Sequence, residues 1–268
     1  MNAPIVLTIA GFDGSGGAGV DIDMRTIRLN GCFAHGAITA LTAQNSTRVD
    51  RVVPVNIDML EAQLHVLADE VDFSAIKIGL IPNLRCVEAI VSFVAKYDIH
   101  CPIVVDPVSV STSGTSLAES GVAEVLIERL GSKLTVLMPN VQETEELTGK
   151  RIGILNEVLI AGEQIRHKGC ENVIVTGGHI LGHEGTDVWF FSGGFEILAP
   201  QERFTDSVRG TGCMFSSALA ANLAQRVSMR DAIVSAKSFV EAAIRNSVIL
   251  GNGQPVTSLG VSGKSIPQ

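Results

Sequence analysis

Ile5-Val6-Leu7-Thr8-Ile9-Ala10-Gly11-Phe12-Asp13-Gly14-Ser15-Gly16-Gly17-Ala18-Gly19-Val20 carries the pattern that decides the fold. Its apolar, β-branched start predicts a strand buried on both faces. The glycine cluster marks a turn. From Ala18 the period lengthens: Val20, Met24 and Ile27 share a helical face, and Asn30-Gly31 stops the helix. Strand, glycine loop and helix make the first unit of a parallel α/β sheet.

The unit recurs along the chain. Strand patterns fall at 37–43, 75–80, 102–106, 134–138 and 172–176, and helix patterns at 57–69, 84–97, 118–130, 141–149 and 157–168. Right-handed crossovers would place the helices on both faces of a mostly parallel sheet. Ser192-Gly193-Gly194, between 187–191 and 195–199, predicts a hairpin near a sheet edge. Two helices close the chain. The second starts at Ser228 as N-cap and sets Ile233, Val240, Ile244 and Val248 on one side. The tail after Gly251 reads as irregular. The 268 residues show no linker or repeat, so a single domain is expected.

A formal charge of −8 and an aromatic content of 4% exclude a basic nucleic-acid footprint and argue against base-stacking platforms. The five cysteines are scattered and form no CxxC pair, which predicts reduced thiols and a cytoplasmic protein. No secretory signal is seen, and no apolar run reaches the roughly 18–20 residues of a membrane span.

In such a sheet, ligands sit outside the C-terminal ends of the strands. Gly11, Asp106, Asn140 and Gly177 each follow a strand pattern, so polar or bare backbone positions converge on one rim. Gly210-Thr211-Gly212-Cys213 opens the first closing helix. Its N–H groups and the helix dipole suit an anion, which points to phosphoryl transfer.

Several motifs hold more than one reading. Gly14–Gly19 matches GxGxxG, but no acid lies between Asp23 and Asp50 to hold a ribose. A steric turn, or a loop approaching a substrate, stands beside the dinucleotide reading. Gly263-Lys264-Ser265 resembles the end of a Walker A loop, yet position 258 is Ser and no helix has room to follow. Cys213 is either a small inert hydrophobe or a thiol whose pKa the helix dipole lowers. Asn140 and Glu143 form either a helix cap or, through Glu143, a water-mediated Mg2+ site. Asp106, before Pro107, either caps a turn or faces Mg2+. His179 and His183 lack a third metal ligand. Lys237 is either solvated or returns to the rim.

Together these residues resemble the hydroxymethylpyrimidine/phosphomethylpyrimidine kinases of thiamine biosynthesis, in the ribokinase superfamily. The similarity runs from Ile9 to about Ile249. It rests on Ala10–Gly19, Thr39–Asn45, Lys77-Ile78-Gly79, Val105–Val108, Pro139-Asn140 with Glu143, Gly177-Gly178-His179 and Gly210–Cys213, all in the family's order. The resemblance implies a single-domain ribokinase-like fold, usually a homodimer. It implies phosphorylation of 4-amino-5-hydroxymethyl-2-methylpyrimidine by ATP with Mg2+, and commonly of the resulting monophosphate. Gln44 would bond the aminopyrimidine edge, helped by Gly11, Asp23 and Leu80. Gly210, Thr211 and Gly212 would form the anion hole, with Cys213 where the wider superfamily has a general base. Asn140, Thr176, Arg209 and Lys237 would lie near the nucleotide, and Asp106 and Glu143 near Mg2+. Two departures stand out: Thr176 replaces a usual lysine and Arg209 a usual histidine. A pyridoxal or pyridoxine kinase, or a catalytically weak pyrimidine-binding sensor, are the competing expectations.

Overall fold

A computed structural model of the chain describes residues 3–111, 114–177, 180, 182–202, 204 and 207–259. Gly178, His179 and the 263–265 motif lie outside them. The first half runs β1 Ile5–Asp13, α1 Gly19–Leu29, β2 Phe33–Gln44, β3 Val49–Pro54, α2 Ile57–Ala68, β4 Ala75–Ile78, α3 Leu84–Lys96 and β5 Ile103–Val105. The second half runs α4 Val122–Leu130, β6 Val136–Leu137, α5 Val141–Thr148, α6 Leu155–Arg166, β7 Asn172–Val175, β8 Asp187–Phe191 and β9 Gly194–Leu198. It closes with α7 Thr211–Ala224, α8 Met229–Arg245, β10 Ser247–Val248 and β11 Val256–Thr257.

The nine-stranded sheet has the order β3-β2-β1-β4-β5-β6-β7-β8-β9. Its interior is parallel, and both edges are antiparallel. Alternation along each strand feeds two cores. Leu7, Ile9, Ile76, Ile78, Val105 and Leu137 face α2–α6. Val6, Ala75, Val104, Val136 and Ile174 face α1, α7 and α8. Each fully buried Leu or Ile contributes roughly 1.5–3 kcal/mol, and burial on both faces explains why these strands read as continuous apolar runs.

Several boundaries differ from the sequence reading. The strand expected at 37–43 is the longer β2, because Phe33–Gly36 pair with Ile5–Thr8. β3 had no apolar signature, since Asp50 and Arg51 sit exposed on an antiparallel edge. The helix expected from 118 starts at Val122, after Gly121 in the left-handed region. Val248 lies past α8, in β10, and pairs with Val256, so the tail is not wholly irregular. Ser228 does cap α8, and β8–β9 form the expected edge hairpin.

The chain leaves β1 for β2 on one side and later takes up β4 on the other, so a crevice opens at the ends of β1 and β4. α7 packs across β1, β4 and β5, which brings its N-terminus to that crevice.

Candidate active site

Two glycine-rich loops from opposite ends of the chain meet at the crevice. Gly210, at φ +79°, precedes α7, and a Cβ there would lie 2.2 Å from the Gly17 carbonyl oxygen. A Cβ on Gly19, at φ +67°, would lie 2.2 Å from the Gly11 carbonyl. Only glycine permits both the backbone angles and the close approach. Asp13 shapes the first loop, its Oδ1 accepting from the Ser15 N–H at 2.9 Å.

No side chain caps α7, in contrast to α2, α3, α5 and α8, capped by Asn56, Asn83, Asn140 and Ser228. Its first-turn N–H groups have no acceptor within the helix and face the crevice with the positive end of the dipole. Gly212 is exposed, and the nearest atom to a Cβ there is Asp106 Oδ2 at 3.9 Å.

Asp106, just past β5, is buried, and Ser216 Oγ donates to its Oδ2 at 3.2 Å. The Cys213 thiol lies beside Asp106 and near the Gly19 N–H. Burial pushes the thiol up to about 12; Lys77 opposes this, while Asp106 and Asp23 add to it. Of the two readings of Cys213, the raised thiol pKa fits the buried small hydrophobe and not the dipole-lowered thiol. Loss of water and two nearby carboxylates outweigh the helix end.

Glu143 and Asn140 form a capping box: Asn140 Oδ1 accepts from Glu143 N at 2.9 Å, and Glu143 Oε2 from Asn140 N at 2.9 Å. The cap reading therefore describes the local geometry. Glu143 is also buried beside Asp106, and burial, reinforced by the Asp106 charge, raises its carboxyl to about 8. Burial likewise raises Asp106. Two buried carboxyls that resist joint ionisation are a donor pair for a cation. Among the described residues no group of three or more His, Cys, Asp or Glu could hold a metal. A pair suits Mg2+, which takes one or two carboxylates and keeps several waters.

Asn140 and Thr176 are neighbours at the ends of β6 and β7, joined by an isolated parallel bridge. Lys237 reaches the same end of the sheet. Its Nζ donates to Gly185 O at 2.8 Å and Asp187 Oδ2 at 2.5 Å, and Asp187 Oδ1 accepts from Gly177 N.

Arg209 does not join them. Its guanidinium donates to Asp13 Oδ2 at 3.3 Å, Gln44 Oε1 at 3.3 Å, Ser15 Oγ at 3.4 Å and Asn45 O at 2.7 Å. It lies with Gln44, expected at the pyrimidine, and pairs with the Asp13 carboxylate of the first glycine loop. Leu80 packs on Gly11, where a Cβ would meet Leu80 Cδ2 at 2.8 Å. Gln44 is half-buried at the end of β2.

Asp23 is fully buried and presents no free edge to the crevice. Its carboxylate accepts from Lys77 Nζ at 2.9 and 3.1 Å, Thr8 Oγ1 at 2.6 Å and Ser217 Oγ at 2.8 Å. Burial pulls the Lys77 ammonium down, but Asp23, Cys213 and Asp106 more than offset it, and the net shift is upward. This cluster ties α1, β1, β4 and α7 together beneath the crevice. Sequence reading passed over Lys77 as a side chain; the available signal was one charge inside the buried run Ala75-Ile76-Lys77-Ile78.

The chain resembles known proteins along nearly its whole length. The sequence profile of the phosphomethylpyrimidine kinase family matches residues 13–258. A hydroxymethylpyrimidine/phosphomethylpyrimidine kinase of Haemophilus influenzae is 34% identical, over 96% of this chain and 97% of its own. One from Rhizobium meliloti is 37% identical, over 93% and 94%. A bifunctional thiamine biosynthesis protein of Geobacter sulfurreducens is 35% identical over 92% of this chain, which spans only 50% of that longer protein. Among solved structures, a Clostridium difficile phosphomethylpyrimidine kinase superposes with TM-score 0.78 at 32% identity, covering 90% of this chain and 99% of its own. The ADP complex of Bacillus subtilis pyridoxal kinase gives 0.88 at 29%, covering 96% and 98%. With a profile matched along nearly its whole length and close relatives aligned end to end, the chain belongs to the phosphomethylpyrimidine kinase family.

Proposed function

We propose that the chain transfers the γ-phosphoryl group of ATP to the hydroxymethyl oxygen of 4-amino-5-hydroxymethyl-2-methylpyrimidine, and then to the monophosphate so formed. The observation that carries this reading is the meeting of the uncapped α7 N-terminus with the Gly14–Gly19 loop, Gly210 against Gly17, beside Cys213 and Asp106. Phosphoryl transfer asks a protein chiefly for positioning and charge stabilisation. The N–H groups of Thr211, Gly212 and Cys213 would hold the phosphoryl oxygens as the bond to the β-phosphate breaks. Gly11, Gln44 and Leu80 would hold the ring, with Asp23 bracing them from behind. Asn140, Thr176 and Lys237 would line the nucleotide side.

Asp106 and Glu143 would hold Mg2+ through waters. When bound, Mg2+ supplies charge neutralisation on the phosphate oxygens. The substrate hydroxyl loses its proton as its oxygen bonds phosphorus. Cys213 would accept that proton as a thiolate, its own proton having passed to the neighbouring Asp106 carboxylate.

A homodimer fits the outer sheet. Phe12, Leu41 and Val53 lie side by side on β1, β2 and β3, and each is exposed. No helix of the described residues is long and apolar enough to cross a membrane. All five cysteines are free, which supports the cytoplasm as the proposed location.

The superposition with pyridoxal kinase favours one rival, a pyridoxal kinase. ADP release measured with the aminopyrimidine, with pyridoxal and with neither separates the two. The expected order is aminopyrimidine well above pyridoxal, and pyridoxal above the blank. Turnover with pyridoxal alone would transfer the assignment to the rival.

A further inference from the structure

We infer that Arg209 fixes which way round the Gln44 amide faces the bound ring, and so selects a heterocycle whose edge pairs an acceptor nitrogen with an adjacent exocyclic amine. This deepens the proposed function and rests on Gln44 facing the ring.

Arg209 is itself held in place. Its N–H donates to Pro255 O at 3.0 Å, its backbone bridges Val256, and its side chain is only 8% exposed. The guanidinium reaches Asp13 and Ser15 of the first glycine loop and Gln44 and Asn45 at the end of β2. Every one of these contacts ends on oxygen.

A guanidinium has donors and no acceptor. An amide beside it must therefore offer its oxygen, because the flipped amide would set two donors against each other. Gln44 Oε1 lies 3.3 Å from Arg209 Nη2, which leaves Nε2 turned away with two N–H donors. The oxygen keeps a second lone pair. The amide then presents a polarised edge, with the acceptor on the Arg209 side and the donor on the far side.

The complementary ligand edge is an amidine, a ring nitrogen next to a carbon bearing NH2. A 4-aminopyrimidine has that edge. The pyridine ring of a pyridoxal-type substrate carries no amine next to its nitrogen, so it satisfies one contact at most. A site that loses a partner to a buried polar group discriminates strongly, and here the polarity is set from outside the ligand. Arg209 is thus a positioning residue for recognition.

The test is calorimetric binding, without ATP, of the hydroxymethyl aminopyrimidine and of its analogue with C–H in place of the ring nitrogen beside the amine. The wild type should prefer the parent by about 10-fold or more. Arg209→Gln, whose amide leaves Gln44 free to turn either way, should lose most of that preference by weakening the parent alone. Arg209→Lys, again donor-only, should restore it. In a Gln44→Leu background, changing Arg209 should cost nothing further. Additive losses, or an Arg209→Gln protein that still discriminates as the wild type does, would overturn the inference while leaving the kinase assignment intact. Wild-type protein that binds neither ligand would remove the underlying reading and the inference with it. Should Arg209→Gln fail to fold, Arg209→Met in the same comparison decides, with melting curves confirming the fold.

Discussion

Cys213 and Glu143 carry the residue-scale consequences. Cys213→Ser should still bind the pyrimidine but lose roughly 100-fold or more in kcat, because a serine hydroxyl gives up its own proton far less readily than a thiol. Unchanged kcat in a steady-state assay would remove the thiol from the chemistry. Glu143 gives a signed pH effect. Its folded pKa of about 8 lies above the usual carboxylate value, so the folded chain holds a proton that the unfolded chain has lost. Stability contributed by this site is present below the ordinary Glu pKa and is lost as pH rises through about 8, by roughly 5 kcal/mol at most. Glu143→Gln retains an oxygen for the capping box and should melt higher than wild type at about pH 8 without metal. Mg2+ should raise the wild-type melting temperature, more strongly above pH 8 than below, and leave the variant nearly unmoved. A Mg2+ response equal in both proteins would place the ion elsewhere.

At the scale of elements, the glycines before and within α7 separate folding from function. Gly210 sits at φ +79° with the Gly17 carbonyl where a Cβ would go. Gly210→Ala should lower stability by about 1–3 kcal/mol or more and pull the two loops apart. A Cβ on Gly212 would make only an ordinary van der Waals contact, with Asp106 Oδ2 at 3.9 Å. Gly212→Ala should keep the melting temperature within a few degrees yet depress kcat/KM for ATP, since its methyl enters the anion hole. Equal loss of stability in both would show that Gly212 is only structural. The contrast also shows what was legible in sequence. The alternation of apolar strands with amphipathic helices is a direct trace of burial on both sheet faces, so the central elements read well. β3 did not, because an exposed antiparallel edge needs no apolar stripe and its pairing is non-local. Gly11 lies inside β1, which runs on to Asp13, whereas Asp106, Asn140 and Gly177 followed from their places just after strands. The Arg209 direction and the Lys77–Asp23 pair did not, since each depends on contacts between segments 54 or more residues apart in the chain.

For the whole molecule, the strand order and the two cores bring the N-terminal glycine loop and α7 to one crevice, and the outer sheet leaves an apolar row uncovered. Leu41→Glu should shift the protein to a monomer in sedimentation at micromolar concentration, because a charge would be buried in the middle of the Phe12–Leu41–Val53 row. A dimer that survives this change would put the interface on another face. The central claim concerns the crevice itself: two bare backbone loops and a thiol positioned for phosphoryl transfer to a hydroxymethyl pyrimidine. Mass spectrometry of the products formed from ATP, Mg2+ and 4-amino-5-hydroxymethyl-2-methylpyrimidine tests it most directly. The account predicts a species heavier by one phosphoryl group, followed by one heavier by two. An unchanged pyrimidine, with ATP intact, would contradict it.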